Sequence, residues 1–353
     1  MPLILSSLTE LSALAFDDII DVRSPAEYAE DHIPGAISLP ALDNDQRAQI
    51  GTIYTQESPF RARRLGAALV ARNVAHYLET TLADRPKGWR PLVYCWRGGQ
   101  RSGSVAMILR QIGWQAETID GGWRSYRRLV KTTLYEDLWP TPVVVLDGDT
   151  GTAKTDLLAL LAEAGVQVLD LEGMANHRGS LFGAMPGGQP AQKGFETELA
   201  FARMGLDPAR VVVVEAESSK IGHINLPPGL WRAMKSAPRL VLAAPLAARA
   251  EYLARRYADV TSDPARLLAT IEGLAPQHPR AQIDAWREMA QARAYEELAA
   301  TLMADHYDPR YGRQRDRFDD RPCAQLDLTA LDPATLQAAV PGIVAAIGKL
   351  SAG

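Results

Sequence analysis

The residues richest in chemistry are Tyr94-Cys95-Trp96-Arg97-Gly98-Gly99-Gln100-Arg101-Ser102. A cysteine stands at the end of an apolar run, two glycines follow, and a helical pattern opens at once. A short glycine-containing turn between strand and helix directs successive backbone N–H groups, and a helix N-terminus, at one point. An anion is stabilised there and a thiolate is an anion, so the Cys95 pKa is expected below that of a free thiol. Arg97 and Arg101 add positive charge. Cys95, Arg97 and Arg101 are therefore the candidate catalytic residues; a buried structural cysteine is the plainer alternative.

A second loop, Gly148-Asp149-Thr150-Gly151-Thr152-Ala153-Lys154-Thr155, follows an apolar run at 143–147 and opens a helical pattern. It resembles the P-loop pattern G-x-x-x-x-G-K-[ST], with Ala153 where the second glycine stands. Gly148 and Gly151 keep the backbone cradle, Lys154 can neutralise phosphate charge, and Thr155 can approach a Mg²⁺ ion. The Ala153 methyl is expected to narrow the cradle, which favours a diphosphate other than a nucleotide's. Glu215 and Glu217 follow another apolar run and could face a cation, because ligands of parallel sheets sit beyond the carboxyl ends of strands. His177 and Arg178 lie past the run at 166–171 and could reach phosphate or base; a loop hydrogen bond and a surface ion pair are the plainer reading. The six histidines and two cysteines show no metal-ligand spacing, so no zinc site is expected.

The elements that must position these loops alternate in type. Apolar runs at 15–22, 37–39 and 91–94 read as strands, and 59–82 and 101–112 as helices. A proline-rich break at 137–142 precedes a second series, with strands at 143–147, 166–171, 211–215 and 240–244 and a helix at 155–164. Strands alternating with helices specify an α/β fold with parallel sheets. The predicted domains are 1–136 and 143–353, the second with a helical C-terminal region (263–353), helical above all over 281–303. At 353 residues, with 47% hydrophobic and 23% charged residues, the composition is that of an ordinary globular chain. Two cysteines exclude a disulfide scaffold and suit a reducing cytoplasm. No apolar run reaches the ~18 residues of a membrane span, and no basic segment precedes a long apolar core at the N-terminus. A net charge of −4 leaves any RNA contact to local basic patches.

Resemblance to known families narrows the reading. Asp21-Val22-Arg23, Glu27, His32-Ile33-Pro34-Gly35-Ala36, the cysteine loop and Asp120-Gly121-Gly122 fall in the order seen in rhodanese domains. Rhodaneses carry sulfur or a related chalcogen as a persulfide on the loop cysteine. Behind them stand the phosphate loop, Gly51-Thr52-Ile53-Tyr54, Ser58-Pro59-Phe60, Leu171-Glu172-Gly173, His177-Arg178-Gly179-Ser180, Gln189-Pro190, Phe195-Glu196, Glu215-Ala216-Glu217-Ser218 and Tyr307-Asp308. With these, the chain resembles the bacterial tRNA 2-selenouridine synthases over roughly residues 10–312. The resemblance implies an α/β fold with an N-terminal rhodanese-like domain and a P-loop NTPase-like domain. It implies a two-step change of a tRNA wobble 2-thiouridine: S-geranylation from geranyl diphosphate, then replacement of the geranylthio group by selenium from selenophosphate. Both are co-substrates, with no permanently bound cofactor. On this reading Cys95 carries selenium as a perselenide, and the P-loop takes the diphosphate.

Three basic segments are candidates for the tRNA. They are Arg61-Ala62-Arg63-Arg64; Arg124, Arg127, Arg128 and Lys131 with Trp123 and Tyr126 between them; and Arg310, Arg313, Arg315 and Arg317. The second is the leading one, because aromatics among cations suit a splayed base. Cys323, outside both loops, is expected to be dispensable. Other readings stay open at this stage: a sulfurtransferase fused to a kinase-like module, a phosphatase (cysteine phosphatases use the Cys95-to-Arg101 spacing), or a nucleotide-gated RNA-binding scaffold.

Overall fold

The computed structural model describes residues 2–310, 321 and 323–351. The chain divides into two compact units, Met1–Asp137 with Pro190–Met204, and Leu138–Gln189 with Gly205–Gly353. In the first, β1 (Asp18–Asp21), β2 (Ile37–Ser38), β3 (Pro91–Tyr94) and β4 (Glu117–Thr118) form a parallel sheet in the order β2-β1-β3-β4. β3 is buried along its whole length, which is why Pro91-Leu92-Val93-Tyr94 reads as unbroken apolar sequence. Its register sets Tyr94 opposite Asp21, so both strands end together where the cysteine loop begins. The Pro59–Glu79 and Gln100–Ile112 helices bring Val70, Val74, Val105, Ala106 and Leu109 into one core with Val93. The Gln192–Met204 helix belongs to this unit as well. Its Thr197 takes a hydrogen bond from Tyr126 (3.1 Å) and gives one to Asp31 (2.7 Å), and its Glu196 pairs with Arg127. The sequence boundary placed this segment in the second domain; its buried Phe195, Leu199 and Ala200 pack it with the first unit instead.

In the second unit five parallel strands run β11-β10-β5-β7-β6: β5 (Val143–Gly148), β6 (Gln167–Leu169), β7 (Val212–Glu215), β10 (Arg239–Ala243) and β11 (Cys323–Asp327). A small hairpin, β8 (Lys220–Ile221) with β9 (Ile224–Asn225), lies outside this sheet. β5 is central and wholly buried, and the phosphate loop leaves its carboxyl end. The Lys154–Glu163 helix then buries Leu157, Leu158 and Leu161. A second core gathers Val260, Leu267, Ile271, Ile283, Trp286, Leu298 and Leu302 from helices, with Phe182 and Leu274 from turns.

Three expectations are corrected. The helix expected over 281–303 is two, Arg280–Gln291 and Tyr295–Leu302, parted where Arg293 takes a left-handed conformation (φ 59°). The C-terminal region also contains β11, an edge strand on which Cys323 is exposed; its short, polar sequence hides it. Pro333–Ser351, 19 residues at mean hydropathy 1.3, is long and apolar enough to span a membrane. Its Leu336, Val340, Ile343 and Ile347 recur every three or four residues and pack into the core against the sheet.

Candidate active site

Cys95 is 3% exposed, and Ser102, in the first turn of the Gln100–Ile112 helix, donates its hydroxyl to Sγ at 3.2 Å. Burial pushes the thiol up. The Ser102 hydroxyl and amide, the Arg101 charge and the Arg97 amide outweigh that, and the pKa lies below the ordinary thiol value. Arg97 acts through its backbone N–H while its side chain is exposed. Arg101 is held at 2.9 Å by Glu27, which also takes Arg47 at 2.8 Å and the Ser24 amide at 3.0 Å. Against the cost of burial, the Arg101 pairing, the Ser24 bond and Arg47 bring the Glu27 carboxyl to about 2.

The loop packs backbone to backbone on the turn that precedes the Gly122–Lys131 helix. A Cβ on Gly98 would lie 2.3 Å from the Ile119 carbonyl, and one on Gly122 would lie 2.2 Å from that of Cys95. The Trp123 and Arg124 amides bond the Cys95 and Trp96 carbonyls at 2.8 and 3.1 Å. Behind the loop, Asp21 joins Arg23 (2.6 Å) and the Tyr94 hydroxyl (2.7 Å), and Arg23 lies 5.0 Å from the Trp123 ring. The Asp-Val-Arg and Asp-Gly-Gly motifs thus build the support for the cysteine loop.

In the second unit, Lys154 Nζ donates to the Gly148 and Asp149 carbonyls (2.8 and 3.2 Å). Ala153 takes φ 58°, the left-handed conformation that glycine adopts freely and that costs alanine about 1–2 kcal/mol. Its methyl joins the buried cluster of Leu157 and Leu240. The departure from the motif therefore carries a backbone cost, and Ala153 still lines the phosphate-loop pocket. Thr155 donates to Glu172 at 3.0 Å, and the Glu172 amide donates to Glu215 at 2.6 Å. Burial first, and then repulsion from Glu172, raises the pKa of both Glu215 and Glu217; burial also raises Glu172, which shares a hydrogen bond with Glu217. A Cβ on Gly179 would lie 2.5 Å from Glu217 and 2.7 Å from Glu172, so the loop closes tightly over this pair.

Lys154, Thr155, Glu172, Arg178 and Glu217 line one pocket with Tyr257 and Arg256. Arg178 lies 4.7 Å from the Tyr257 ring and pairs with Asp259 at 3.0 Å, while its buried Nε and Nη1 have no protein partner. Two unpaired guanidinium nitrogens in a phosphate-loop pocket are donors for an anion. His177 and Glu215 do not line this pocket. His177 Nδ1 accepts the Gly179 amide (3.2 Å) and holds the turn, and Glu215 lies beneath, positioning Glu172. Arg249 ties the Thr150 carbonyl (3.1 Å) to Asp308 (2.9 Å), which gives the Tyr307-Asp308 motif its role. A second, apolar cavity of about 70 Å³ adjoins the first, sharing Thr150, Ser180, Leu253 and Tyr257; Phe182, Leu267, Leu298 and Met303 are among its other lining residues.

Family models match both units: a rhodanese-like domain over residues 7–129, and the tRNA 2-selenouridine synthase AAA domain over 141–275. Proteins described as tRNA 2-selenouridine synthase are similar along the chain. The one from Shewanella loihica is 33% identical over 342 residues, covering 89% of this chain and 91% of its own. That from Aeromonas salmonicida is 39% identical over 254 residues, 70% of this chain and 67% of its own. The chain belongs to the tRNA 2-selenouridine synthases. It is accordingly a tRNA-modifying enzyme, and an α/β chain with rhodanese-like and P-loop-type parts.

As a synthase of this family it needs a surface for RNA, and the leading basic segment is corrected in part. Arg127, Trp123 and Tyr126 are buried, Arg127 in its pair with Glu196, so none of them offers a stacking platform or a free cation. Arg124, Arg128 and Lys131 are exposed on the same helix. Arg313, Arg315 and Arg317 lie outside the described residues. Sequence reasoning missed Ser102, whose only signal was its place one residue after Arg101, and the apolar cavity, whose lining comes from well-separated segments.

Proposed function

We propose that the enzyme replaces the sulfur of a wobble 2-thiouridine in tRNA with selenium, in the cytoplasm, through an S-geranyl intermediate. Geranyl diphosphate binds at the phosphate loop and selenophosphate at the cysteine loop. The observation that carries the first half is the shared wall of the two cavities: a cradle with Lys154 and Arg178 opens beside a cavity lined mainly by apolar and aromatic side chains. A diphosphate with an apolar tail matches both at once.

The thiocarbonyl sulfur bonds to the first carbon of the chain, the carbon–oxygen bond breaks, and the N3 proton is released. Lys154, Arg178 and the loop amides meet the charge that develops on the departing diphosphate. Three glutamates crowded beside Thr155 suit a cation, although among the described residues no three acidic, histidine or cysteine side chains form a ligand set by themselves. Thr155 and Glu172 would hold Mg²⁺ together with diphosphate oxygens, and the ion would add charge neutralisation. S-alkylation makes C2 electrophilic and turns sulfur into a leaving group, which prepares the base for selenium at the cysteine loop.

The test uses the full chain and a thiolated anticodon stem-loop. Geranyl diphosphate alone should give the S-geranyl base by nucleoside mass spectrometry, and later selenophosphate should convert it to selenouridine with release of geranylthiol. Lys154-dependent ATP hydrolysis without RNA, and no geranylation, would instead show a kinase-like module.

A further inference from the structure

We propose that Cys95 accepts the phosphoryl group of selenophosphate and not its selenium. This rests on the reading of selenophosphate as the selenium donor.

An electron count motivates it. Selenium in selenophosphate and sulfur in cysteine are both fully reduced. Joining them as a perselenide removes two electrons, which only an oxidant or reduction of phosphorus(V) to phosphite can take up. A thiosulfate donor avoids this, because sulfite departs with the sulfur–sulfur pair. The first unit holds no second cysteine with which Cys95 could form a disulfide to take up these electrons, since the other one, Cys323, lies in the second unit.

The geometry at Cys95 suits phosphorus. Arg101 follows the thiolate at the interval that lets a guanidinium reach the oxygens of a phosphoryl group on sulfur, and Glu27 fixes it there through two contacts, at 2.9 and 3.4 Å. The amides of Arg97 and Ser102 converge on Sγ, where the 13-residue Gln100–Ile112 helix begins. The Ser102 hydroxyl, 3.2 Å from Sγ, serves the last step best, when sulfur leaves phosphorus as a thiolate.

The steps balance without redox chemistry. The Cys95 thiolate attacks phosphorus; the phosphorus–selenium bond breaks and its pair stays on selenium, released as hydroselenide. Hydroselenide adds to C2 of the S-geranyl base. The carbon–sulfur bond breaks, geranylthiolate takes the selenium proton, and the selenocarbonyl remains. Water attacks the phosphocysteine, the sulfur–phosphorus bond breaks, and phosphate and the thiolate return. The sum is S-geranyl-2-thiouridine, selenophosphate and water giving 2-selenouridine, geranylthiol and phosphate.

The experiment mixes the full chain, selenophosphate and an S-geranyl stem-loop anaerobically in heavy-oxygen water, quenches rapidly, and reads phosphorus NMR and the mass of the Cys95 peptide. We expect phosphate carrying one solvent oxygen, and a Cys95 peptide carrying phosphorus without a selenium isotope pattern. Ser102→Ala should slow breakdown of the adduct by about ten- to a hundredfold, the scale of one hydrogen bond to a charged group, and so raise its level. Phosphite formed one-for-one with selenium on the Cys95 peptide would overturn the proposal, as would a Cys95→Ser enzyme that releases phosphate at the wild-type rate. If the wild type moves no selenium from selenophosphate to the stem-loop, the donor assignment itself falls and takes this inference with it.

Discussion

Replacing Glu27 by glutamine tests how the cysteine loop is held. Glu27 is nearly buried, its carboxyl lies at about 2 in the fold against an ordinary 4.5, and Arg101, Ser24 and Arg47 are its partners. At about 1.36 kcal/mol for each tenfold change in proton affinity, that gap corresponds to roughly 3 kcal/mol. Arg47 is half exposed, so solvent screens its share, and about 2–3 kcal/mol is the expected loss at pH 7. The folded state binds this proton less tightly than the unfolded chain. The contribution is therefore complete above pH 4.5 and disappears as pH falls towards 2; about 0.8 kcal/mol of it should be gone by pH 4. Urea unfolding is followed by tryptophan fluorescence, to which this unit contributes Trp89, Trp96, Trp114 and Trp123 of the seven tryptophans in the chain. The Glu27→Gln midpoint should fall at pH 7, and its distance from wild type should shrink at pH 4. Equal midpoints at pH 7, or a distance that widens on acidification, would refute the reasoning.

Lys154→Ala should slow geranyl transfer at least about a hundredfold, the scale of losing one charge-stabilising donor, and leave selenation of an already geranylated stem-loop much less affected; single-turnover assays of each half separate the two. Leu298→Trp should fill the apolar cavity and suppress geranyl transfer, while inorganic diphosphate binds as to wild type by calorimetry. Arg127→Ala should cost about 3–5 kcal/mol in urea unfolding, because it strands the buried Glu196. Arg128→Ala should leave stability unchanged and lower the salt dependence of tRNA binding by about one counterion.

Much of this architecture is written locally. β3 and β5 are continuous apolar runs followed at once by glycine-containing loops, and such short-range patterns need no tertiary information. The places where reading along the chain failed all depend on partners far away. Gln192–Met204 carries an ordinary amphipathic pattern that does not say which core receives it. Arg127 and Tyr126 look like surface residues until Glu196 and Thr197 arrive from some 70 positions later to cover them. Ala153 breaks a glycine rule that the fold meets by backbone strain. Ser102 carries no motif weight of its own, because its meaning lies in the distance to Sγ. The cavity beside the phosphate loop is lined from segments between Thr150 and Tyr307, and no spacing rule joins these.

The order of the two half-reactions is the most direct test. A thiolated anticodon stem-loop is incubated with the full chain and selenophosphate, with and without geranyl diphosphate, and its nucleosides are read by mass spectrometry. The account predicts 2-selenouridine only when geranyl diphosphate is present, with S-geranyl-2-thiouridine appearing first. Selenouridine formed equally well without geranyl diphosphate would contradict it.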